Sequence, residues 1–272
     1  MNQTELAGLT RVRVPHLAKA KAAGQKLTML TAYDQPTAQI LDQVGIDVLL
    51  VGDSMGNAML GYETTLSVSL EQMETATAAV AAGTRRALVV ADMPFGTYEA
   101  SASQCFASAV RLMKAGASAV KFEGGARVAP QIRLLSESGI PVMSHLGFTP
   151  QSVNALGGNR VQGRDEAGAG QLISDAWAVQ GAGAFALVLE MVPASLATRI
   201  TGELAIPTIG IGAGAGTDGQ VLVWTDMAGV SGWVPSFVRK FGQLRDNLAA
   251  AATDYAAAVR EGSYPDQDHW FE

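Results

Sequence analysis

The strongest constraint on how this chain folds is a recurrence. A short run of apolar, often β-branched residues ends on a charged or polar group, and an apolar-faced helix closed by glycine precedes the next run. The stretch DVLLVGDSMGNAMLGYETT, Asp47 to Thr65, shows the unit clearly: Val48 to Val51 run into Gly52, Asp53 and Ser54, and a flexible loop starts at Met55 and Gly56. A short apolar run bounded by turn signals reads as a strand buried on both faces. Asp53 or Ser54 alone could serve only to cap the next turn, so the reading depends on whether the pattern repeats.

It does. Lys26 to Thr31 is a first strand, followed by a helix that Asp34 caps, Ile40, Leu41 and Val44 face with apolar groups, and Gly45 ends. A helix over Ser69–Ala82 stops at Gly83, and Ala87 to Ala91 leads into Asp92. Phe106, Ala109, Val110 and Met113 form a helix face closed by Gly116, and Ser118 to Val120 leads into Lys121, Phe122 and Glu123. Ile132 and Leu135 sit on a helix stopped by Gly139, and Ile140 to Met143 runs into Ser144 and His145. Leu172, Ile173, Ala176 and Trp177 face another helix, Phe185 to Leu189 ends on Glu190, and Pro207 to Ile211 ends in a glycine run. Gln220 to Trp224 completes eight candidate strands, with Phe237 to Ala252 as a closing helix.

Strands alternating with helices imply parallel pairing through right-handed crossovers. Eight such units within 272 residues, with no break in composition, predict one (β/α)8 barrel domain spanning 1–272 with an N-terminal extension and a C-terminal tail. A doubly wound open sheet is the alternative, because periodicity does not show closure. Hydrophobic residues at 48% against 16% charged supply a large, dry core. A net charge of −6 with no basic block argues against a nucleic-acid partner. The single cysteine, Cys105, excludes an internal disulfide framework and a cysteine-cluster metal site, and falls on an apolar helix face. The N-terminus lacks the apolar core of a signal peptide and no stretch is long enough to span a bilayer, so the expectation is a soluble, cytoplasmic protein.

Aligned by their ends, the strands carry Asp53 and Ser54, Asp92, Lys121 and Glu123, His145, and Glu190. In a barrel these ends converge on one mouth, where a single ligand can reach them all. Lys121 and Glu123 are two apart and point the same way on a strand; they make either a structural ion pair or a cation for a substrate carboxylate beside an acidic metal ligand. Asp53, Asp92 and Glu123 crowded together would repel one another without a cation, and all-oxygen ligands suit Mg²⁺. The sequence offers neither the His pair nor the cysteine cluster of a typical zinc site. Glu190, between Leu187–Val188 and Met191–Val192, has an apolar setting of the kind that lifts a carboxyl toward the range of a general base. His145 is either a donor to a substrate oxygen or a core histidine. The run GIGAGAG lacks the Lys-Ser/Thr of a P-loop and the spacing of a dinucleotide fingerprint.

Several long motifs, in order from about Leu27 to Phe271, carry a family resemblance: VGDSMGN with GYETT, ADMPFGTY, VKFEGG, SHLGFTPQS followed by GGNRVQGR, LVLEMVP, IGIGAGAGTDGQVLVW and EGSYPDQDHWF. Together they resemble the ketopantoate hydroxymethyltransferase family. The resemblance implies a (β/α)8 barrel of the phosphoenolpyruvate-mutase and isocitrate-lyase type. It implies transfer of a hydroxymethyl group from 5,10-methylenetetrahydrofolate to 3-methyl-2-oxobutanoate, giving 2-dehydropantoate for pantothenate and coenzyme A biosynthesis through a Mg-stabilised enolate. By motif, Asp53, Asp92 and Glu123 would bind Mg²⁺, and Asp53, Ser54, Asp92 and Lys121 would contact the 2-oxo acid. Glu190 would be the proton acceptor, with His145 near the substrate. A large homo-oligomer, commonly a decamer, is also implied.

Departures are few: Tyr62 stands where some members have His, and Phe122 where many have Ile or Leu. Two other classes stay open at the level of sequence. One is a metal-dependent C–C lyase on the same barrel, for which Cys105 is poorly placed; the other is a non-catalytic scaffold.

Overall fold

The computed structural model describes Leu6 and residues 8–272. The chain divides into two compact units, Met1–Val223 and Trp224–Glu272. In chain order the first contains α1 (Val14–Ala22), β1 (Leu27–Thr31), α2 (Gln35–Gln43), β2 (Val48–Val51), α3 (Met55–Ala58), α4 (Leu70–Gly83), β3 (Leu88–Asp92), α5 (Ala102–Lys114), β4 (Ala119–Glu123) and α6 (Ala129–Glu137). It continues with β5 (Val142–Gly147), α7 (Val153–Leu156), α8 (Glu166–Gly181), β6 (Ala186–Glu190), α9 (Ala194–Glu203), β7 (Thr208–Ile211) and β8 (Gly219–Leu222). The second unit carries the short α10 (Trp224–Met227) and the long α11 (Leu244–Glu261).

The eight strands form a closed barrel in sequence order, every neighbouring pair parallel, with β8 returning to β1. Closure decides against the open doubly wound sheet. Because side chains alternate across a strand, every second residue points inward. Leu27, Met29, Val48, Leu50, Leu88, Val90, Ala119, Met143, Ala186, Val188, Ile209 and Val221 form one buried cluster, which Leu17 and Ala20 of α1 join. Burying this interior is the main stabilising contribution, at about 25 cal/mol for each Å² of apolar surface removed from water. Short strands suffice because the interior is filled rather than hollow.

Asp34 caps α2 as the sequence suggests, accepting from Thr37 N at 2.8 Å. The long loop expected from Met55 instead begins with the one-turn α3, and neither Asp53 nor Ser54 caps it through its side chain. The strand expected to reach Trp224 ends at Leu222. The closing helix begins at Leu244 rather than Phe237, since Gly242 and the irregular chain before it break the pattern. Within its unit α11 has no buried residue, and Leu244, Leu248, Tyr255 and Val259 make an exposed apolar stripe.

The helix faces also differ from the apolar reading. Ile40, Val44, Phe106 and Trp177 are exposed, whereas Ala38 and Leu41 on α2, Cys105, Ala109 and Leu112 on α5, and Leu172, Ala176 and Val179 on α8 are buried. Leu41, Leu112 and Leu172 are buried while the similarly apolar Ile40 and Val44 are exposed, so position around the helix axis decides which face is covered. At the base of β3, Asp42 of α2 accepts from the backbone N–H groups of Arg85, Arg86 and Ala87 at 2.7–3.2 Å. Asp42→Ala strands those donors, and a loss of about 2–4 kcal/mol is expected from a charged acceptor serving a buried turn. A fall in the urea-unfolding midpoint checks it, with Asp42→Asn expected to lose less.

Candidate active site

The strand register sets the site before any side chain is considered. Asp92 of β3 is the register partner of Lys121 on β4, and Glu123 is the partner of His145 on β5. The inward alternation that fills the core continues to the strand ends, so Val90 is followed by Asp92, Ala119 by Lys121 and Glu123, Met143 by His145, and Val188 by Glu190. All of these polar residues, with Asp53 and Ser54 just beyond β2, line one cavity of about 110 Å³. Its apolar walls include Leu50, Val188, Ile211 and Val221. The volume is well below the roughly 300 Å³ at which pockets for drug-sized ligands begin. A small, charged molecule fits its chemistry.

Lys121 Nζ donates to Asp92 Oδ1 at 2.6 Å, with both side chains nearly excluded from solvent. Asp92 Oδ2 accepts from the backbone N–H of Asp53 at 3.1 Å, which turns the chain after β2 into the cavity. Burial, then the charges of Asp92 and Glu123, push the Asp53 carboxyl up to about 8, against the smaller opposing pull of Lys121 and Gln151. For Lys121, burial disfavours the ammonium, but Asp92, Asp53 and Glu123 outweigh it and hold the group above its usual range. Ser54 Oγ lies 2.9 Å from the Tyr33 hydroxyl.

His145 lies between two carboxylates, with Nδ1 3.6 Å from Glu123 Oε1 and Nε2 3.2 Å from Glu190 Oε2. Neither contact has the alignment of a formed hydrogen bond, and both buried ring nitrogens lack a hydrogen-bond partner. They act as charge contacts: burial and Lys121 lower the imidazolium, yet Glu123 and Glu190 carry it up to about 9. Each ring nitrogen faces a carboxylate, and the residue lines the cavity. The histidine is thus part of the site wall rather than an isolated core residue.

Glu190 is held by its backbone. Its carbonyl accepts from Phe148 N–H at 2.8 Å, and a Cβ at Gly147, whose φ is +94°, would fall 2.1 Å from that oxygen. Met191, next in the chain, has a φ of +48°, which non-glycine residues seldom adopt. Its N–H donates to Ile211 O and its carbonyl accepts from Gln162 N–H, both at 2.9 Å. Three residues around the site were not singled out from the sequence, Tyr33, Tyr98 and Gln151, and Met191 entered only as an apolar neighbour of Glu190. Gln151 was visible only as one letter in SHLGFTPQS; no periodicity or spacing rule singles out a neutral amide.

A family model described as ketopantoate hydroxymethyltransferase matches residues 11–267. The chain belongs to the ketopantoate hydroxymethyltransferase family. Relatives named 3-methyl-2-oxobutanoate hydroxymethyltransferase include one from Mycobacterium avium (strain 104), 58% identical over 264 residues, covering 96% of this chain and 92% of the relative. Another, from Streptomyces avermitilis, is 56% identical with the same coverage of 96% and 92%. The protein is accordingly an enzyme, a hydroxymethyltransferase by family.

Among solved structures, phosphonopyruvate hydrolase in complex with oxalate and Mg²⁺ superposes with a TM-score of 0.62 at 13% identity, covering 95% of this chain and 93% of that one. A 2,3-dimethylmalate lyase of the PEP mutase/isocitrate lyase superfamily gives 0.59 at 14%, covering 95% and 91%. At such identity these establish the fold alone, a closed (β/α)8 barrel. No helix among the described residues is long and apolar enough to cross a membrane.

The cavity carries four carboxylates, Asp53, Asp92, Glu123 and Glu190, against Lys121 and a chargeable His145. Among the described residues no group of three or more His, Cys, Asp or Glu side chains is arranged so that it could hold a metal ion. The carboxylate oxygens lining the cavity are of the donor type that a hard ion such as Mg²⁺ takes together with waters. Lys121→Met leaves Asp92 buried without its cation. Breaking such a pair costs about 3–5 kcal/mol, to be read by urea unfolding in chelator, and the Asp92→Asn/Lys121→Met double variant is expected to regain a large part of it.

Proposed function

We propose that the chain catalyses transfer of a hydroxymethyl group from 5,10-methylenetetrahydrofolate to 3-methyl-2-oxobutanoate, giving 2-dehydropantoate. The observation that carries this reading is one small cavity uniting a buried ammonium, Lys121, with a cluster of buried carboxylates and with Glu190 beside His145. The names of the relatives supply the 2-oxo acid and the transferred group. A cytoplasmic homo-oligomer, probed as a decamer, belongs to the same proposal, and the exposed Ile40, Val44 and Trp177 offer apolar surface for assembly.

Asp53, Asp92 and Glu123 would hold Mg²⁺, directly or through water. When bound, the ion supplies Lewis-acid polarisation of the keto group and charge neutralisation. Lys121 neutralises the substrate carboxylate, and Ser54, held by Tyr33, donates to a substrate oxygen. Apolar Leu50, Val188 and Val221 receive the branched carbon end and keep water from it. Glu190 takes the proton from C3, whose acidity comes from the adjacent carbonyl. His145, charged and in contact with Glu190 Oε2, holds that carboxylate toward the cavity and disperses the developing charge. The resulting carbon nucleophile forms a bond to the methylene carbon of the ring-opened iminium donor. Water then displaces the tetrahydrofolate nitrogen, leaving the hydroxymethyl group and free tetrahydrofolate.

Incubation with the 2-oxo acid, methylenetetrahydrofolate and Mg²⁺ is expected to give 2-dehydropantoate, with turnover lost in chelator and restored by Mg²⁺. Formation of no product with any divalent ion would overturn the assignment, and product without the folate would favour a lyase. In Glu190→Gln, solvent-deuterium exchange at C3 is expected to fall at least a thousandfold, on the order of what a positioned base contributes, with binding of the 2-oxo acid largely kept. Exchange at the wild-type rate would remove Glu190 as the base.

A further inference from the structure

A buried amide ties the acidic residues of the site together. Gln151 lies in the short turn Pro150–Ser152 after β5 and is almost wholly buried. Its side-chain Nε2 donates to Asp53 Oδ2 at 2.8 Å and to the Met93 carbonyl at 3.0 Å. Its backbone N–H donates to Glu123 Oε2 at 3.0 Å. Its side-chain oxygen accepts from the Tyr98 hydroxyl at 2.6 Å. One residue thus bonds two carboxylates that come from different strands.

The amide can sit only one way round. Asp53 Oδ2 and the Met93 carbonyl are both acceptors, so the nitrogen must face them and the oxygen must face Tyr98. Tyr98 is fixed in turn: its hydroxyl accepts from Glu123 N–H at 3.3 Å, its ring lies 5.0 Å from that of Phe122, and its carbonyl accepts from Gln131 Nε2 at 3.3 Å. Every donor and acceptor on the Gln151 side chain is used. Gln151 bonds Oδ2 of Asp53 and Oε2 of Glu123, and Glu123 Oε1 lies 3.6 Å from His145 Nδ1. Gln151 thus holds each carboxylate by one named oxygen.

We propose that Gln151, locked by Tyr98, is a positioning residue that sets which oxygens of Asp53 and Glu123 face a divalent cation. The proposal rests on the metal reading given under Proposed function. Bonds from ligating side chains to such outer partners are worth about tenfold to a hundredfold in metal affinity. A residue that merely fills space would not move that affinity while the protein stays folded.

The probe is Mn²⁺ binding without substrate, followed by the electron-spin-resonance signal of the free ion, in wild type, Gln151→Met, Tyr98→Phe and the double variant. Unfolding midpoints identify which variants are folded. Gln151→Met keeps length and loses both donors, and its Mn²⁺ dissociation constant is expected to rise about tenfold to a hundredfold. Tyr98→Phe is expected to shift it in the same direction by less. Because Tyr98 locks Gln151 and also bonds the Glu123 N–H, the double variant is expected to lose less than the two single losses combined.

Gln151→Met binding within twofold of wild type overturns the proposal, as do losses that simply add. Where Gln151→Met does not fold, Tyr98→Phe decides, and an unchanged Mn²⁺ affinity there overturns it. A wild-type protein that binds no Mn²⁺ removes the metal reading and this proposal with it; binding by wild type that Gln151→Met leaves intact removes this proposal alone.

Discussion

Like charges forced together at the ends of parallel strands are the condition that shapes this site. The register of β3, β4 and β5 leaves no freedom over which residues become neighbours: Asp92 must meet Lys121, and Glu123 must meet His145. Asp53 enters the same space because its backbone N–H is bound by Asp92. Each carboxylate there would be costly by itself, since burial penalises an unpaired charge by several kcal/mol. Lys121, His145 and the amide of Gln151 offset much of that cost while leaving oxygens turned toward the cavity. The apolar layer beneath, from Met29 to Val221, supplies the rigidity that holds these groups in place.

Much of this was legible in the chain itself, for a definite reason. A strand buried on both faces has to be apolar along its length, so a charged residue that follows one marks the strand's end. Asp53, Asp92, Lys121, Glu123, His145 and Glu190 were all found by that signal, and all line the same cavity. Closure of the sheet was not encoded in any single segment, because it depends on β8 meeting β1 across the whole chain. The helix faces were misread where position around the helix axis, rather than polarity, decided the contact. Ile40 and Val44 are as apolar as Leu41, yet Ala38 and Leu41 are the residues that fit inward. Gln151 and Tyr98 appeared only as letters within longer motifs, since their importance lies in which atoms they reach and not in a pattern of polarity.

Sequence and shape contribute at different levels. Distant barrels with about one identical residue in seven share the scaffold, and that scaffold alone supports unrelated reactions. The long ordered motifs, matched across residues 11–267, are what place the chain in its family. The site geometry then adds a physical content that neither comparison carries: which oxygen is bonded, which nitrogen is without a partner, and how small the cavity is.

The positive φ of Met191 bears on how this stretch of sequence can drift. A left-handed residue wedged between two backbone hydrogen bonds tolerates glycine, asparagine or an unbranched side chain, but a β-branched one would strain the chain directly beside Glu190. Gly147, across the ladder from Glu190, is narrower still, with no room for even a methyl group. Neither side chain need touch a reactant for its position to be closed to most substitutions. Constancy at these two sites in diverging copies of the chain would record the geometry of the backbone beneath the carboxylate, not chemistry of their own.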